Sequence, residues 1–308
     1  MQFTDKLPLV TVVIPTYKRP DMIERAVKSV LNQTYRNIEI IIVDDNGEGS
    51  EFQLETAKIV ELFEDKVVYL IHPQNKGGSA ARNTGWRNSN GKYITFLDDD
   101  DEIDVTKIEK QVMCLENLSE DWGACYTGYK LLKENGENQI SSENRSGDCY
   151  IYALMKTMFM GSGSNLFLRK SVVDEINGYD ESFVRNQDIE FMARALEHYK
   201  LAYIDEILLT IYQEGNRKQR TLEEIEKINN YYISKFKDRI DNLNEKDRER
   251  VWAVISLERF RAYIYDKKTF EGIKLLKHNK VKTKYVFRYM KYLLHRTITH
   301  KSYGFDGR

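Results

Sequence analysis

Over its first hundred residues the chain alternates short apolar runs rich in β-branched side chains with segments of helical period. Few folds accept that order. Leu9–Ile14 is one such run, stopped by Pro15, and it reads as a strand buried on both faces. In Asp21–Gln33 the apolar residues Ile23, Ala26, Val27, Val30 and Leu31 fall on one helical face. Ile38–Val43 is a second strand, halted at Asp44-Asp45-Asn46-Gly47; Phe52–Phe63 is helical; Val67–Ile71 is a third strand. Gly77-Gly78-Ser79 opens a helix through Trp86, which Asn90-Gly91 closes, and Lys92–Leu97 is a fourth strand halted by Asp98-Asp99-Asp100-Asp101. Strands and helices in strict turn, joined by short loops, predict an α/β fold: a mostly parallel, Rossmann-like sheet with flanking helices, wound right-handed.

Beyond residue 120 the pattern loosens. Gly123–Leu132 and Asn165–Arg169 read as strands, Gly136–Gly147 as a polar loop, Ile189–His198 as a helix and Leu201–Tyr212 as one or two strands. From Thr221 to Thr299 the period is helical throughout. Glu-Gly-Asn-Arg-Lys-Gln-Arg breaks the pattern near residues 215–222. This predicts a domain over residues 1–218 and a helical C-terminal region over 219–308.

With 41% apolar and 31% charged residues in 308, the chain is an ordinary globular one. No apolar run approaches the ~20 residues of a membrane helix, and Met1–Pro8 lacks a signal-peptide pattern. Three cysteines (Cys114, Cys125, Cys149) without a CxxC spacing argue against a disulfide scaffold or zinc ribbon and fit a reducing, cytoplasmic compartment. The overall charge of −1 hides a division. Residues 267–308 hold twelve Lys and Arg against Glu271 and Asp306, a net of +10, so the body is acidic and the tail basic.

In such sheets ligands bind beyond the carboxyl ends of the strands. Three strand ends carry distinctive residues: Pro15-Thr16-Tyr17-Lys18-Arg19, Asp44-Asp45-Asn46 and Asp98–Asp101. Four consecutive carboxylates repel one another and need compensation, which a divalent cation provides; hard oxygen donors select Mg²⁺ or Mn²⁺. The plainer reading is a solvated acidic turn that caps a helix near Asp104. Asp44-Asp45 is good turn chemistry and also a carboxylate pair able to accept from a base or ribose. At Asn75–Gly85, two glycines and a cation open a helix where backbone N–H groups can meet an anion, without matching GxxxxGK[ST] or GxGxxG.

Taken in order, Val12-Val13-Ile14-Pro15-Thr16-Tyr17, Ile42-Val43-Asp44-Asp45, Asn75-x-Gly77 with Ala81-Arg82-Asn83-x-Gly85, and Phe96-Leu97-Asp98-Asp99-Asp100-Asp101 closely resemble family 2 glycosyltransferases of the GT-A fold. Gly163-Ser164-Asn165 with Phe167 and Arg169, Gly178-Tyr179-Asp180-Glu181-Ser182-Phe183, and Gln187-Asp188 resemble the family's acceptor half, so the resemblance spans about residues 8–215. It implies a GT-A sheet whose residues 1–120 bind a nucleotide sugar and whose residues 121–218 bind the acceptor, and it implies inverting transfer. Residue by residue, it implies that Asp44 contacts a uracil and that Thr16 and Tyr17 line the nucleotide. Asp98-x-Asp100 becomes the Asp-x-Asp motif, with Asp100 on the metal and Asp98 nearer the ribose. Arg82 lies in the nucleotide pocket, and Asp188 is the general base. Pro15, Arg19, Asp45, Lys76, Gly77 and Asp99 complete the expected nucleotide-sugar site, and Gly163, Ser164, Asn165 and Gln187 the sugar and acceptor pocket. Inverting transfer needs one base and neutralisation of the departing diphosphate, whereas a glycoside hydrolase needs two opposed carboxyl groups. The alternative role for Asp188 is the N-cap of the helix that follows.

The sequence departs from the family twice. Gln187-Asp188 stands where Glu-Asp is usual, and no His follows the last strand, leaving Gln213, Glu214 or water as the third ligand. In the tail, Tyr285–Arg296 mixes aromatics with cations at helical spacing, which suits an anionic membrane surface; a packed structural helix and a nucleic-acid contact are its alternatives. The resemblance favours the membrane over nucleic acid. The expected activity is therefore transfer of a hexose or N-acetylhexosamine from a UDP-sugar to a saccharide acceptor, lipid-linked and at the inner face of the membrane. A sugar-phosphate nucleotidyltransferase is disfavoured because Pro15–Pro20 holds no glycine. A non-catalytic carbohydrate-binding protein has no use for four clustered acids.

Overall fold

The β-branched run Val10–Thr16 becomes strand β1, and nearly all of it is buried because it lies at the centre of a sheet covered on both faces. The computed structural model describes residues 7–63, 65–134, 136, 138–213, 220–299 and 303–308. The boundary expected near residues 215–222 and the ligand candidate Glu214 fall wholly or partly outside these residues. After β1 come α1 (Pro20–Leu31), β2 (Ile38–Asp44), α2 (Glu51–Val60), β3 (Val68–Ile71), α3 (Gly78–Arg87) and β4 (Tyr93–Phe96). Then follow β5 (Asp101–Ile103), α4 (Lys107–Glu116), β6 (Trp122–Lys133), β7 (Asn138–Ile140) and the short helix α5 (Tyr150–Leu154). The series continues with β8 (Phe167–Arg169), α6 (Lys170–Glu175), α7 (Gln187–Ala195) and β9 (Lys200–Gln213).

The sheet runs β3-β2-β1-β4-β8-β6-β9-β5, with β7 on β6. The first four strands pair in parallel, as the alternation predicts. Beyond β4 the sheet is mixed: β8 is antiparallel to both β4 and β6, and β9 returns parallel to β6. Leu201–Tyr212 is thus part of one long strand, with bulges in its pairing to β6. Pro20 opens α1 at its first turn, and Ile23, Ala26, Val27 and Val30 bury its apolar face. Helix α3 lies close on β1 because residue 85 has no side chain. A Cβ there would overlap Val13 Cγ1 and lie 2.9 Å from Val13 Cγ2.

The chain divides into two compact units, and Cys149–Phe159, containing α5, groups with residues 215–308 in the second. That unit comprises α8 (Leu222–Asp241), α9 (Glu245–Tyr265), α10 (Thr269–His278) and α11 (Thr283–Thr299). A capping box at Thr221 and Glu224 starts α8. Tyr232, Phe236 and Ile240 bury one side of α8, and the Tyr232 hydroxyl donates to the carbonyls of Ala153 and Leu154. In α11, Tyr285, Tyr289 and Tyr292 are buried while Phe287, Met290, Leu294 and Ile298 are exposed. Among the described residues no helix is long and apolar enough to cross a membrane.

Candidate active site

Register brings the strand ends together. Thr16 pairs with Asp44 and Val13 with Phe96, so Thr16, Asp44 and the acid run share the carboxyl edge of the sheet. Past Thr16 the chain turns through Lys18, whose positive φ of 57° is held by its N–H donating to Asn46 Oδ1 at 2.6 Å. Pro15 ends the apolar part of β1, Tyr17 is 40% exposed beyond it, and Arg19 swings toward the acids.

The four aspartates part company. A tight turn, with Asp101 N–H donating to the Asp98 carbonyl at 3.0 Å, turns alternate residues inward. Asp99 is fully buried, accepts from Thr16 Oγ1 at 2.7 Å and pairs with Arg19 at 2.5 Å. Asp101 is buried too and accepts from Ser162 Oγ at 2.7 Å and Ser164 Oγ at 2.5 Å. Asp98 and Asp100 stay partly open, with side chains 24% and 29% exposed. Asp98 pairs with Arg82 at 2.6 Å and Asp100 with Arg19. Burial pushes the Asp99 carboxyl up to about 7 and raises Asp101 and Asp100 as well. The run is therefore no solvated turn. Thr106 takes the cap position of α4 without a side-chain cap bond, and Asp104 Oδ1 accepts from the Thr106 N–H at 3.0 Å in the turn before it.

These residues fit a divalent cation. Asp98 and Asp100 are hard oxygen donors at one strand end, each holding one oxygen on a guanidinium that offsets its charge. Among the described residues no group of three His, Cys, Asp or Glu side chains is arranged to hold an ion. Two carboxylates alone would have to share an ion with substrate phosphates. Gln213 closes β9, two residues past the Ile211–Asp101 pair.

At the second strand end both carboxylates have partners within the chain. Asp44 is buried, accepting from Tyr69 OH at 2.5 Å and the Asn46 N–H at 2.8 Å. Asp45 is engaged entirely by the following loop. Its Oδ1 meets His72 Nδ1 and Lys76 N–H, each at 2.7 Å, and its Oδ2 meets Asn75 Nδ2 and Gly77 N–H, each at 2.8 Å. The anion at the start of α3 is thus the protein's own carboxylate. Asp45, Lys76 and Gly77 shape the loop, because their backbone donors and carboxylate oxygens already satisfy one another. His72 is a buried part of this clasp, also 2.9 Å from Thr84 Oγ1.

Across the acid run, Arg82 is nearly buried. Its Nη2 serves Asp98 and its Nη1 donates to Gln187 Oε1 at 3.3 Å. Gly78 leaves it room, since a Cβ there would lie 3.0 Å from Arg82 Nη1. Helix α7 begins at Gln187 with Asn186 in the cap position, so Asp188 sits in the first turn and is not the cap. Its carboxylate is turned to the Gly163 N–H. Burial raises its pKa, Arg82 opposes that, and Asp98 adds to it. Ser164 and Asn165, expected in the sugar pocket, are buried with their polar groups engaged inside the fold. Ser164 Oγ accepts from Asp98 N–H at 3.0 Å, and Asn165 binds Thr127 and the Met160 carbonyl. Tyr69 and Ser162 carry no signal in the sequence as site supports, whereas Asn83 stands in the Ala81-Arg82-Asn83 motif without an assigned role. Asn83 clamps the Tyr179 backbone from both sides, at 2.8 and 2.9 Å.

The family model for glycosyl transferase family 2 matches residues 11–176, more than half of the chain and the ends of β1, β2 and β4. The chain belongs to glycosyl transferase family 2. An uncharacterised glycosyltransferase of Rickettsia bellii is 31% identical over 206 residues, 66% of this family 2 chain but 29% of that relative. The chain therefore spans under a third of that relative's length. A putative teichuronic acid biosynthesis glycosyltransferase, TuaG of Bacillus subtilis, is 34% identical over 136 residues, 43% of this chain and 51% of that one. Among solved structures, S. aureus TarS 1–349 in complex with UDP-GlcNAc superposes with a TM-score of 0.65 at 17% identity, covering 83% of this chain and 73% of that one. Mannosyltransferase PcManGT from Pyrobaculum calidifontis, in complex with GDP-Man and Mn²⁺, gives 0.57 at 15% identity, covering 89% and 75%. The family 2 chain thus has the GT-A type of fold: a mixed α/β sheet with flanking helices and a helical C-terminal region.

Proposed function

We propose that this family 2 chain is a metal-dependent, inverting glycosyltransferase. It moves a hexose or N-acetylhexosamine from a UDP-sugar to a saccharide acceptor in the assembly of a bacterial surface polysaccharide. The observation that carries the reading is the guanidinium of Arg82, which lies between a partly open carboxylate at the end of β4, Asp98, and the first turn of α7. The donor's diphosphate belongs beside Asp98 and Asp100, and the acceptor hydroxyl beside Asp188. Asp44 and Thr16 lie at the neighbouring strand ends, where the base and ribose would rest. A Mg²⁺ or Mn²⁺ ion held by Asp98 and Asp100 would supply charge neutralisation as the bond to the diphosphate breaks.

Asp188 takes the proton of the acceptor hydroxyl. Burial raises its pKa, which makes it a stronger base than a solvated aspartate. Arg82 holds the like charges of Asp98 and Asp188 in one site. A surface-polysaccharide acceptor suits the likeness to TuaG, and a lipid-linked one suits the exposed face of α11, where Phe287, Met290, Leu294 and Ile298 run beside Lys284, Arg288 and Lys291. A membrane surface at that face places the chain peripherally on the inner leaflet.

The test is a thermal shift with Mn²⁺ and a panel of UDP- and GDP-sugars, followed by UDP-release kinetics on the stabilising donors. Binding to the native state raises its apparent stability. A shift with UDP-sugars and metal, and turnover of one of them, is expected. Stabilisation by GDP-sugars alone overturns the donor assignment.

A further inference from the structure

The fourth aspartate of the run has no place in the proposed metal site, yet it is buried and accepts two hydrogen bonds. Its partners explain it. Asp101 Oδ2 accepts from both Ser162 and Ser164, the two residues that flank Gly163. Ser164 Oγ also accepts from the N–H of Asp98, and the Ser164 carbonyl accepts from the buried ammonium of Lys107 at 3.3 Å. On the other side Asn165 is fixed to β6 through Thr127, with Oδ1 accepting from its N–H at 3.1 Å and its Oγ1 at 2.9 Å. The single turn Gly163–Asn165 is thereby held at both ends. What it presents is the Gly163 N–H, directed at the Asp188 carboxylate. A Cβ at residue 163 would stand 2.9 Å from Asp188 Oδ1 and 3.2 Å from its Cγ, so the carboxylate rests directly on the glycine.

We infer that Asp101, Ser164 and Gly163 are positioning residues: they tie the acid run that serves the donor to the carboxylate that serves the acceptor, and set the distance between them. The logic is that of orientation. A base must lie within hydrogen-bond reach of its proton, and a misplacement of about 1 Å can cost about 10²-fold in rate. Glycine at 163 is required because any side chain would push the Asp188 carboxylate off its N–H. Asp101 is required as an acceptor for two hydroxyls at once, which holds the glycine's backbone still. The inference rests on Asp188 being the base.

The experiment separates the two. UDP release is measured with whichever of UDP-glucose, UDP-galactose, UDP-N-acetylglucosamine and UDP-N-acetylgalactosamine the wild type turns over fastest. The proteins are wild type, Asp188→Asn, Gly163→Ala, Asp101→Asn and the double variant Gly163→Ala/Asp188→Asn. Asp188→Asn should lose about 10²–10⁴-fold in kcat; wild-type turnover in that variant overturns the base assignment itself. Gly163→Ala should lose about 10²-fold in kcat with donor KM within two-fold. Asp101→Asn, which keeps the shape, should lose kcat in the same sense and by less. The double variant should be no slower than Asp188→Asn alone, because the glycine acts only through that carboxylate. Gly163→Ala within two-fold of wild type, or costs that multiply in the double variant, overturns the positioning role.

Discussion

Arg82 Nη2 lies 2.6 Å from Asp98 Oδ1, a pair that joins the middle of α3 to the turn after β4. Both its partners lie in the proposed donor and acceptor site, and planarity lets one guanidinium serve Asp98 and Gln187 together. Arg82→Met leaves Asp98 unpaired. The expected destabilisation is toward the lower end of the about 3–5 kcal/mol seen for broken buried pairs, since Asp98 is partly exposed. Urea unfolding measures it. Arg82→Lys keeps the charge and loses the fork, so it should retain most of the stability but less than a tenth of the turnover. Full activity in Arg82→Lys would show that geometry is immaterial there.

The proposed metal site is tested at the partly open members of the acid run. Asp100→Ala removes a partly exposed oxygen donor and frees Arg19 to remain on Asp99. Transfer should fall to background while the melting temperature stays within a few degrees. EDTA should do the same to the wild type, with Mn²⁺ or Mg²⁺ restoring activity. Undiminished activity in EDTA contradicts the assignment of Asp98 and Asp100.

Much of this site was legible in the sequence because strand ends are legible. Proline, a run of acids and a glycine pair stop β-branched segments, and the parallel register then places Thr16, Asp44 and Asp98 on one edge. The division of labour within Asp98–Asp101 was not, since it depends on turn geometry and on Ser162 and Ser164, some sixty residues away in sequence. The clasp at Asp45 was hidden for the same reason: the backbone N–H groups of Lys76 and Gly77 that meet its carboxylate lie some thirty residues away in sequence. The segment 149–159 gave no sign of its partners, because contacts such as Tyr232 with the Ala153 carbonyl leave no local period. The mixed half of the sheet was hidden too, as short strands like Phe167–Arg169 carry no direction in their sequence.

Gly85 offers a test of the packing that sets the floor of the site. Gly85→Ala should destabilise by about 1–3 kcal/mol, although alanine favours helix, because its methyl group meets Val13 in a strand buried on both faces. Shortening the neighbour should reverse this: Val13→Ala/Gly85→Ala should be more stable than the sum of the two single changes. Strict additivity in urea melts would mean the helix simply moves away.

The last prediction concerns α11. Its buried side is tyrosine, at 285, 289 and 292, and its exposed side carries Phe287, Met290, Leu294 and Ile298 at 75%, 54%, 62% and 68% exposure. Spacings of three and four residues put these four on one stripe, and Lys284, Arg288 and Lys291 fall along one flank of it. An apolar stripe with a cationic flank is the pattern of a helix lying in a membrane interface. Removing the whole tail is the wrong test, because Tyr232 and its neighbours also hold the segment 149–159. Point changes on the exposed face are the right one. Purified protein should sediment with vesicles containing phosphatidylserine and not with pure phosphatidylcholine, and salt should weaken the binding. Each cation near such a surface contributes about 1 kcal/mol, so Arg288→Gln with Lys291→Gln should weaken binding by about thirty-fold. Phe287→Ser with Leu294→Ser should weaken it as well, leaving UDP release on a soluble acceptor unchanged. Equal binding to neutral vesicles, or indifference to both pairs of changes, would remove the membrane from this face of the helix.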